Sequence, residues 1–233
     1  MDIRGKTVLV TGSNRGLGRT FVKALLEAGA GKVYAAARDL KGLNILGAVP
    51  IELDITDAAS VANAAATCPD VDVLVNNAGF LKYGSLLAED SIRSLREHFE
   101  INTVGTLRMA SAFAPVLARQ GGGAIVNILS VLSWLNIEHS GPYSASKAGQ
   151  WSLTNGLRNE LRAQKTLVIG VHPGYIDTDM AAGVQASKTS PEVVVQMTLE
   201  ALRESREELI IDDAGRWVKS TLSEVNAGYL SPT

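Results

Sequence analysis

Thr11-Gly12-Ser13-Asn14-Arg15-Gly16-Leu17-Gly18 is the stretch on which the fold turns. It follows an apolar run at 7–10 that reads as a strand. It leads at once into residues 16–28, which read as a helix with Phe21, Leu25 and Leu26 on one face. Strand, glycine-rich turn and helix N-terminus in that order make a cradle for the phosphates of a dinucleotide. Gly12 permits the tight turn, Gly16 lets the backbone approach a pyrophosphate, and Gly18 lets the helix pack close to the sheet. The helix start contributes unpaired N–H groups and a partial positive charge. A glycine turn alone is a weak sign; after the first strand of an alternating chain it is a strong one.

The alternation continues outward from this turn. Residues 32–37, 49–53, 71–75, 124–129, 166–171 and 208–211 read as further strands. Residues 57–67, capped by Asp57, a region from about 89 to 119 interrupted near Gly105, and residues 143–163 read as helices. Ser190-Pro191-Glu192 opens another helix, with serine as N-cap and proline at the first helical position. The strands are near-continuous apolar runs, which suits strands covered on both faces. The predicted fold is therefore α/β: a single-domain, Rossmann-type doubly wound fold with a seven-stranded parallel sheet flanked by helices. It is expected to occupy residues 1–233, with a cofactor part over about 1–125 and a catalytic and substrate part over about 126–233.

Composition agrees and narrows the function. The chain has 233 residues, 46% hydrophobic and 20% charged, as expected of one soluble globular domain. Its net charge of −2 offers no electrostatic case for nucleic acid or an anionic membrane as partner. One cysteine, Cys68, excludes an internal disulfide and a thiolate metal site, and no metal-ligand spacing occurs. The N-terminal segment lacks the pattern of a secretory signal and no apolar run is long enough to span a bilayer, so a cytoplasmic location is expected. Glycine, at 22 residues, exceeds the usual level of about 7%.

The spacing Thr11-Gly-x-x-x-Gly-x-Gly resembles the cofactor turn of the short-chain dehydrogenase/reductase family. Four further stretches extend that resemblance over nearly the whole chain. Leu53-Asp54-Ile55 resembles the family's adenine-binding strand end, and Asn76-Asn77-Ala78-Gly79 its Asn-Asn-Ala-Gly motif. Tyr143-Ser144-Ala145-Ser146-Lys147 places a tyrosine and a lysine four apart, hence on one helix face. His172-Pro173-Gly174-Tyr175-Ile176-Asp177-Thr178 resembles the Pro-Gly turn beside the nicotinamide. The resemblance implies cofactor contacts from Gly12, Ser13, Asn14, Arg15, Gly16, Leu17, Gly18, Asp54, Ile55, Asn77, Ala78, Gly79, Tyr143, Lys147, Pro173, Gly174, Ile176 and Thr178.

The second strand ends Ala35-Ala36-Ala37-Arg38-Asp39. An acidic residue about 20 positions past the turn would hold the ribose 2′-hydroxyl of NAD, whereas arginine accommodates the 2′-phosphate of NADP. Ala37 stands where NAD-preferring members of the family carry the acid; Arg38 follows it and Arg15 lies in the turn, which favours NADP(H). A strand end two residues later would bring Asp39 into play and favour NAD(H).

A free tyrosine, with pKa about 10, is a poor acid–base catalyst near neutrality, and a neighbouring ammonium, together with the positive nicotinamide ring, is expected to lower that value. The resemblance makes Asn102, Ser130, Tyr143 and Lys147 a catalytic tetrad. Hydride passes from NADPH to a carbonyl carbon, Tyr143 protonates the oxygen, Ser130 orients it, and Lys147 binds the nicotinamide ribose while supporting Tyr143. Asn102, at a helix irregularity, holds a water linked to the lysine. The reverse reaction oxidises an alcohol. Ser130, Trp134, Tyr143 and Tyr175 are the substrate-side candidates, under a short lid at about 179–190, in an apolar and fairly open pocket. His98, His139 and His172 read as loop residues rather than catalysts. The family pattern also implies a homodimer or homotetramer. Among other enzymes of this fold, a halohydrin dehalogenase is disfavoured by Lys147 and the intact glycines. A cofactor-binding signalling relative with little turnover is the alternative.

Overall fold

The computed structural model describes residues 1–230; residues 231–233, the last three of the predicted domain, lie outside the described residues. Seven strands, β1 (Thr7–Thr11), β2 (Lys32–Ala37), β3 (Val49–Glu52), β4 (Val73–Asn76), β5 (Gly123–Ile128), β6 (Thr166–His172) and β7 (Glu208–Ile210), form one parallel sheet in the order β3-β2-β1-β4-β5-β6-β7. The order reverses between β1 and β4, which is where such sheets open a ligand crevice beyond the strand carboxyl ends.

The helices are α1 (Gly16–Glu27), α2 (Ala58–Thr67), α3 (Ser91–His98), α4 (Gly105–Arg119), α5 (Gly141–Leu161), α6 (Pro191–Glu204) and α7 (Asp213–Thr221). Alternate residues of each strand feed opposite faces. Val8, Val10, Val73 and Val75 pack with Phe21 and Leu25 of α1 and Val194 and Leu202 of α6. Leu9, Leu74 and Ile125 pack with Phe113 and Leu117 of α4 and Leu157 of α5. Burial on both faces is why these strands are continuously apolar. The exception is β3, which is mostly exposed and carries Pro50; proline is tolerated there because the strand is an edge.

The caps fall where the sequence placed them: the Asp57 side chain accepts from Ala59 N, and the Ser190 hydroxyl from Val193 N. The predicted interruption near Gly105 is a six-residue π-helical turn, Phe99–Val104, just ahead of that glycine. Helix α7 was not predicted. Its signals were Asp212, whose carboxylate accepts from Gly215 N, and Asp213 in the first turn. Two histidines correct the loop reading. His98 ends α3 and His172 ends β6, and both are fully buried. His139 is exposed in a loop, as expected.

Candidate active site

One cleft of about 1380 Å³ opens at the carboxyl ends of the strands. Its cofactor half begins at the β1–α1 turn. Gly12 has φ +68°, and a Cβ there would stand 2.9 Å from Ala78 Cα. At Gly18 a Cβ would overlap the Gly12 carbonyl oxygen and lie 2.5 Å from Asn77 Nδ2. The α1 N-terminus has no side-chain cap, so its N–H groups are left for a ligand. Asn77 Nδ2 donates to the carbonyls of Thr11 and Gly12 at 2.9 and 3.2 Å, and Asn76 Nδ2 to Asn127 Oδ1 at 2.9 Å. The amides thus tie the end of β4 to the strands on either side.

Gly12, Asn14, Arg15, Gly16, Leu17, Gly18, Arg38, Asp54, Ile55, Asn77, Ala78, Gly79, Tyr143, Lys147, Pro173, Gly174, Ile176 and Thr178 all line the cleft. Ser13 does not. It is fully buried, its hydroxyl donates to Val10 O at 2.7 Å and its N–H to Ala36 O at 3.0 Å, so both groups are committed to the sheet end. β2 ends at Ala37, which sets Arg38 first beyond the strand; Asp39 also lines the cleft, and its Oδ1 accepts from Lys41 N at 2.8 Å. Against the raising effect of burial, the Thr56 hydrogen bonds and, less, the Arg38 and Arg108 charges hold the Asp54 carboxyl below its ordinary value; Arg38 has no ion-pair partner among the described residues. Arg15 pairs with Asp179 at 3.5 Å across the mouth, and both are exposed.

The catalytic candidates meet on the cleft floor. Ser130 caps a short 3₁₀ turn, Val131–Ser133, its hydroxyl accepting from Leu132 N at 3.1 Å. Tyr143 and Lys147 lie one turn apart on α5, with Lys147 Nζ 5.7 Å from the tyrosine ring centre. Burial pushes the Tyr143 phenol up to about 12, while the adjacent Ser130 hydroxyl works the other way. Burial pushes Lys147 down to about 7. Burial dominates the phenol in the protein alone, where Ser130 is the group that works against it and the expected lowering by the ammonium is not found. Lys147 Nζ donates to Ile128 O and to Gln150 Oε1, each at 2.8 Å.

Asn102 sits behind the cleft, fully buried in the π-helical turn. Its Oδ1 accepts from Phe80 N at 2.8 Å, and its Nδ2 donates to Phe80 O and Ser146 Oγ, both at 2.9 Å. The side chain thus pins the segment after β4 to the helix carrying Tyr143 and Lys147. Asparagine is a weak helix former, and the π turn is where its amide can leave the helix surface for these partners.

On the substrate side Tyr175 lines the cleft, but Trp134 is core. Its ring stacks on His172 at 3.9 Å between centres and meets Trp151 edge-on at 6.3 Å. The apolar walls are Leu132 and Leu135 just after Ser130, Met180 of the expected lid, and Tyr83 and Trp217, which the sequence pattern does not mark. Trp217 had no signal without α7. The lid region holds a 3₁₀ turn, Asp179–Ala181, and its far end is tied back where Asp177 N donates to Thr189 O and Thr189 N to Tyr175 O, at 2.9 and 2.8 Å.

The family model described as short chain dehydrogenase matches residues 6–189. A crystal structure of a short chain dehydrogenase from Burkholderia cenocepacia J2315 in complex with NADP is 37% identical, covers 97% of this chain and 95% of that one, and superposes with a TM-score of 0.92. An NADPH-bound carbonyl reductase from chicken fatty liver superposes at 0.79 with 28% identity, over 85% of this chain and 91% of that one. The 3-oxoacyl-[acyl-carrier-protein] reductase FabG of Salmonella typhimurium is 32% identical over 189 residues, 77% of each chain. With the parallel sheet, the glycine turn and these matches together, the chain belongs to the short chain dehydrogenase family of oxidoreductases.

Proposed function

We propose that this protein is an NADP(H)-dependent oxidoreductase that reduces an aldehyde or ketone to an alcohol, or runs the reverse. The observation that carries this reading is the convergence of Ser130, Tyr143, Lys147 and the bare glycine turn on one cleft. The residues fit the cofactor. The positions of Gly12 and Gly18 leave room only for backbone, the α1 N–H groups face the phosphate site, and Arg38 has no carboxylate partner among the described residues. Hydride exchange with the substrate carbon is the chemistry that NADP(H) supplies when bound.

The chain's own residues do the rest. With its phenol near 12, Tyr143 carries its proton at neutral pH, the form needed to donate to a carbonyl oxygen as that oxygen gains electron density. The Ser130 hydroxyl, beside the phenol, orients the same oxygen. Lys147 offers its remaining N–H to the cofactor ribose, and Asn102 keeps α5 in register with the strand ends. The substrate walls combine aromatic and aliphatic side chains with Glu138 and Asp213, which suits an uncharged carbonyl compound rather than an anionic one.

Purified protein mixed with NADPH and a panel of aldehydes, ketones and quinones is expected to consume the nicotinamide absorbance with at least one of them. Absence of turnover across the panel would sink the reading. The cofactor choice has its own test. In Arg38→Asp, NADPH should bind about 10- to 100-fold more weakly, the loss of a charge-assisted contact of about 1.5–3 kcal/mol, with NADH little changed. Equal losses for both cofactors in a titration would remove Arg38 from the 2′-phosphate site.

A further inference from the structure

Lys147 is buried, yet no carboxylate pairs with it among the described residues. Two neutral oxygens hold its ammonium instead, Ile128 O and Gln150 Oε1. Gln150 follows one turn along α5 and is fully buried. Its Nε2 donates to Thr106 Oγ1 at 2.9 Å, and that hydroxyl donates to Asn102 O at 2.8 Å. An unbroken line of hydrogen bonds therefore runs from the ammonium to the π-helical turn. Burying an amide is unfavourable unless its groups are paired, so packing alone does not account for glutamine at this core position. What the amide adds is an acceptor that carries no charge.

We propose that Gln150 is a positioning residue: its amide, anchored through Thr106, holds the Lys147 ammonium at the cleft floor while leaving its positive charge unneutralised and one N–H free for the cleft. The titratable groups around this lysine fit that reading. Tyr143 lies on α5 itself, and α3 contributes His98, whose ring meets that of Tyr143 at 6.2 Å. The π turn carries Glu100, which is already paired with Arg108 of α4 at 2.6 Å. His172 of β6 is stacked on Trp134, and the 3₁₀ turn at Val131–Ser133 carries no titratable group. Gln150 Oε1 touches the ammonium directly, so a carboxylate in its place would install a counter-charge against it.

The kinetic part of the test rests on the oxidoreductase reading; the titration part does not. The Lys147 amine would be followed by side-chain NMR in the protein alone, its signal assigned by its loss in Lys147→Met. In Gln150→Glu, of nearly the same shape, the midpoint should rise by about 1–3 units, as for an opposite charge in contact. In Gln150→Leu, which removes the acceptor, it should fall. The pH limb of NADPH-dependent turnover should move with the midpoint in each variant. A midpoint that stays or falls in Gln150→Glu overturns the proposal, as does movement in the same direction in both variants. If Gln150→Leu does not fold, Gln150→Glu decides alone. If the wild type turns over no carbonyl, the oxidoreductase reading fails while the titration still judges Gln150.

Discussion

Tyr143→Phe should lower the rate of carbonyl reduction by about 10²- to 10⁴-fold, the usual contribution of a placed general acid, and leave NADPH binding nearly intact. The substitution removes only the phenolic oxygen. The ring keeps its place against His98, and Lys147 keeps both of its acceptors. Stopped-flow absorbance gives the rate, and quenching of tryptophan fluorescence gives the affinity. The pH dependence sharpens the test. Lys147, pushed down to about 7, is an ammonium below that value and neutral above it. Reduction by the wild type should therefore decline as pH rises through about 7, while Tyr143, near 12, still holds its proton. In Tyr143→Phe the residual rate should keep this limb, because Lys147 retains both acceptors and its burial. Full activity in the variant would remove Tyr143 from the chemistry.

Gly18→Ala is the second large effect expected. The added methyl would meet the Gly12 carbonyl on one side and the Asn77 amide on the other. Neither can yield cheaply, because Gly12 is the tight turn itself and Asn77 Nδ2 is already bonded to Thr11 O and Gly12 O. The helix must move away from the sheet or the turn must open. Overpacking of this kind destabilises by about 1–3 kcal/mol. For a chain of this length each kcal/mol lowers the melting midpoint by about 2–4 °C. Because the displaced backbone is the phosphate site, NADPH affinity should fall by at least about tenfold. A melting curve and a binding isotherm that both match wild type would show the glycine to be dispensable.

The parts legible in the sequence were those where local chemistry has few solutions. The glycine turn admits almost no other residue at Gly12 and Gly18, so its spacing carried strand and helix together and points to the proposed phosphate site. Tyr143 and Lys147 could be placed on one face because helical periodicity fixes a four-residue spacing. Arg38 came out beyond β2 because that strand stops where the buried alanines stop. The failures were long-range. Nothing local shows that Ser13 spends its hydroxyl on Val10 or that Trp134 stacks on a buried histidine, because those partners come from other strands. The rise of the tyrosine to about 12 was missed for the same reason. A neighbouring charge can be seen in sequence, but the depth of burial that outweighs it cannot. Gln150 had a visible signal, a polar residue one turn past the lysine on a face that must be buried, but its partner Thr106 lies on another helix.

The strand order also bears on how the chain is made. β1 lies inside the sheet between β2 and β4, and the β4 register joins Val8 to Val73. Parallel pairs cannot be closed by a hairpin, so every pairing in the sheet waits for a crossover to be synthesised. Such distant pairings make refolding slow. On a growing chain, the first four strands are complete at Asn76, long before Tyr143 and Lys147 emerge. Until β5 arrives, the apolar strand Val73–Asn76 presents an unpaired edge. A nascent chain stalled near residue 80 would therefore be a sticky intermediate, competing for other strands during the interval before its own fifth strand is available.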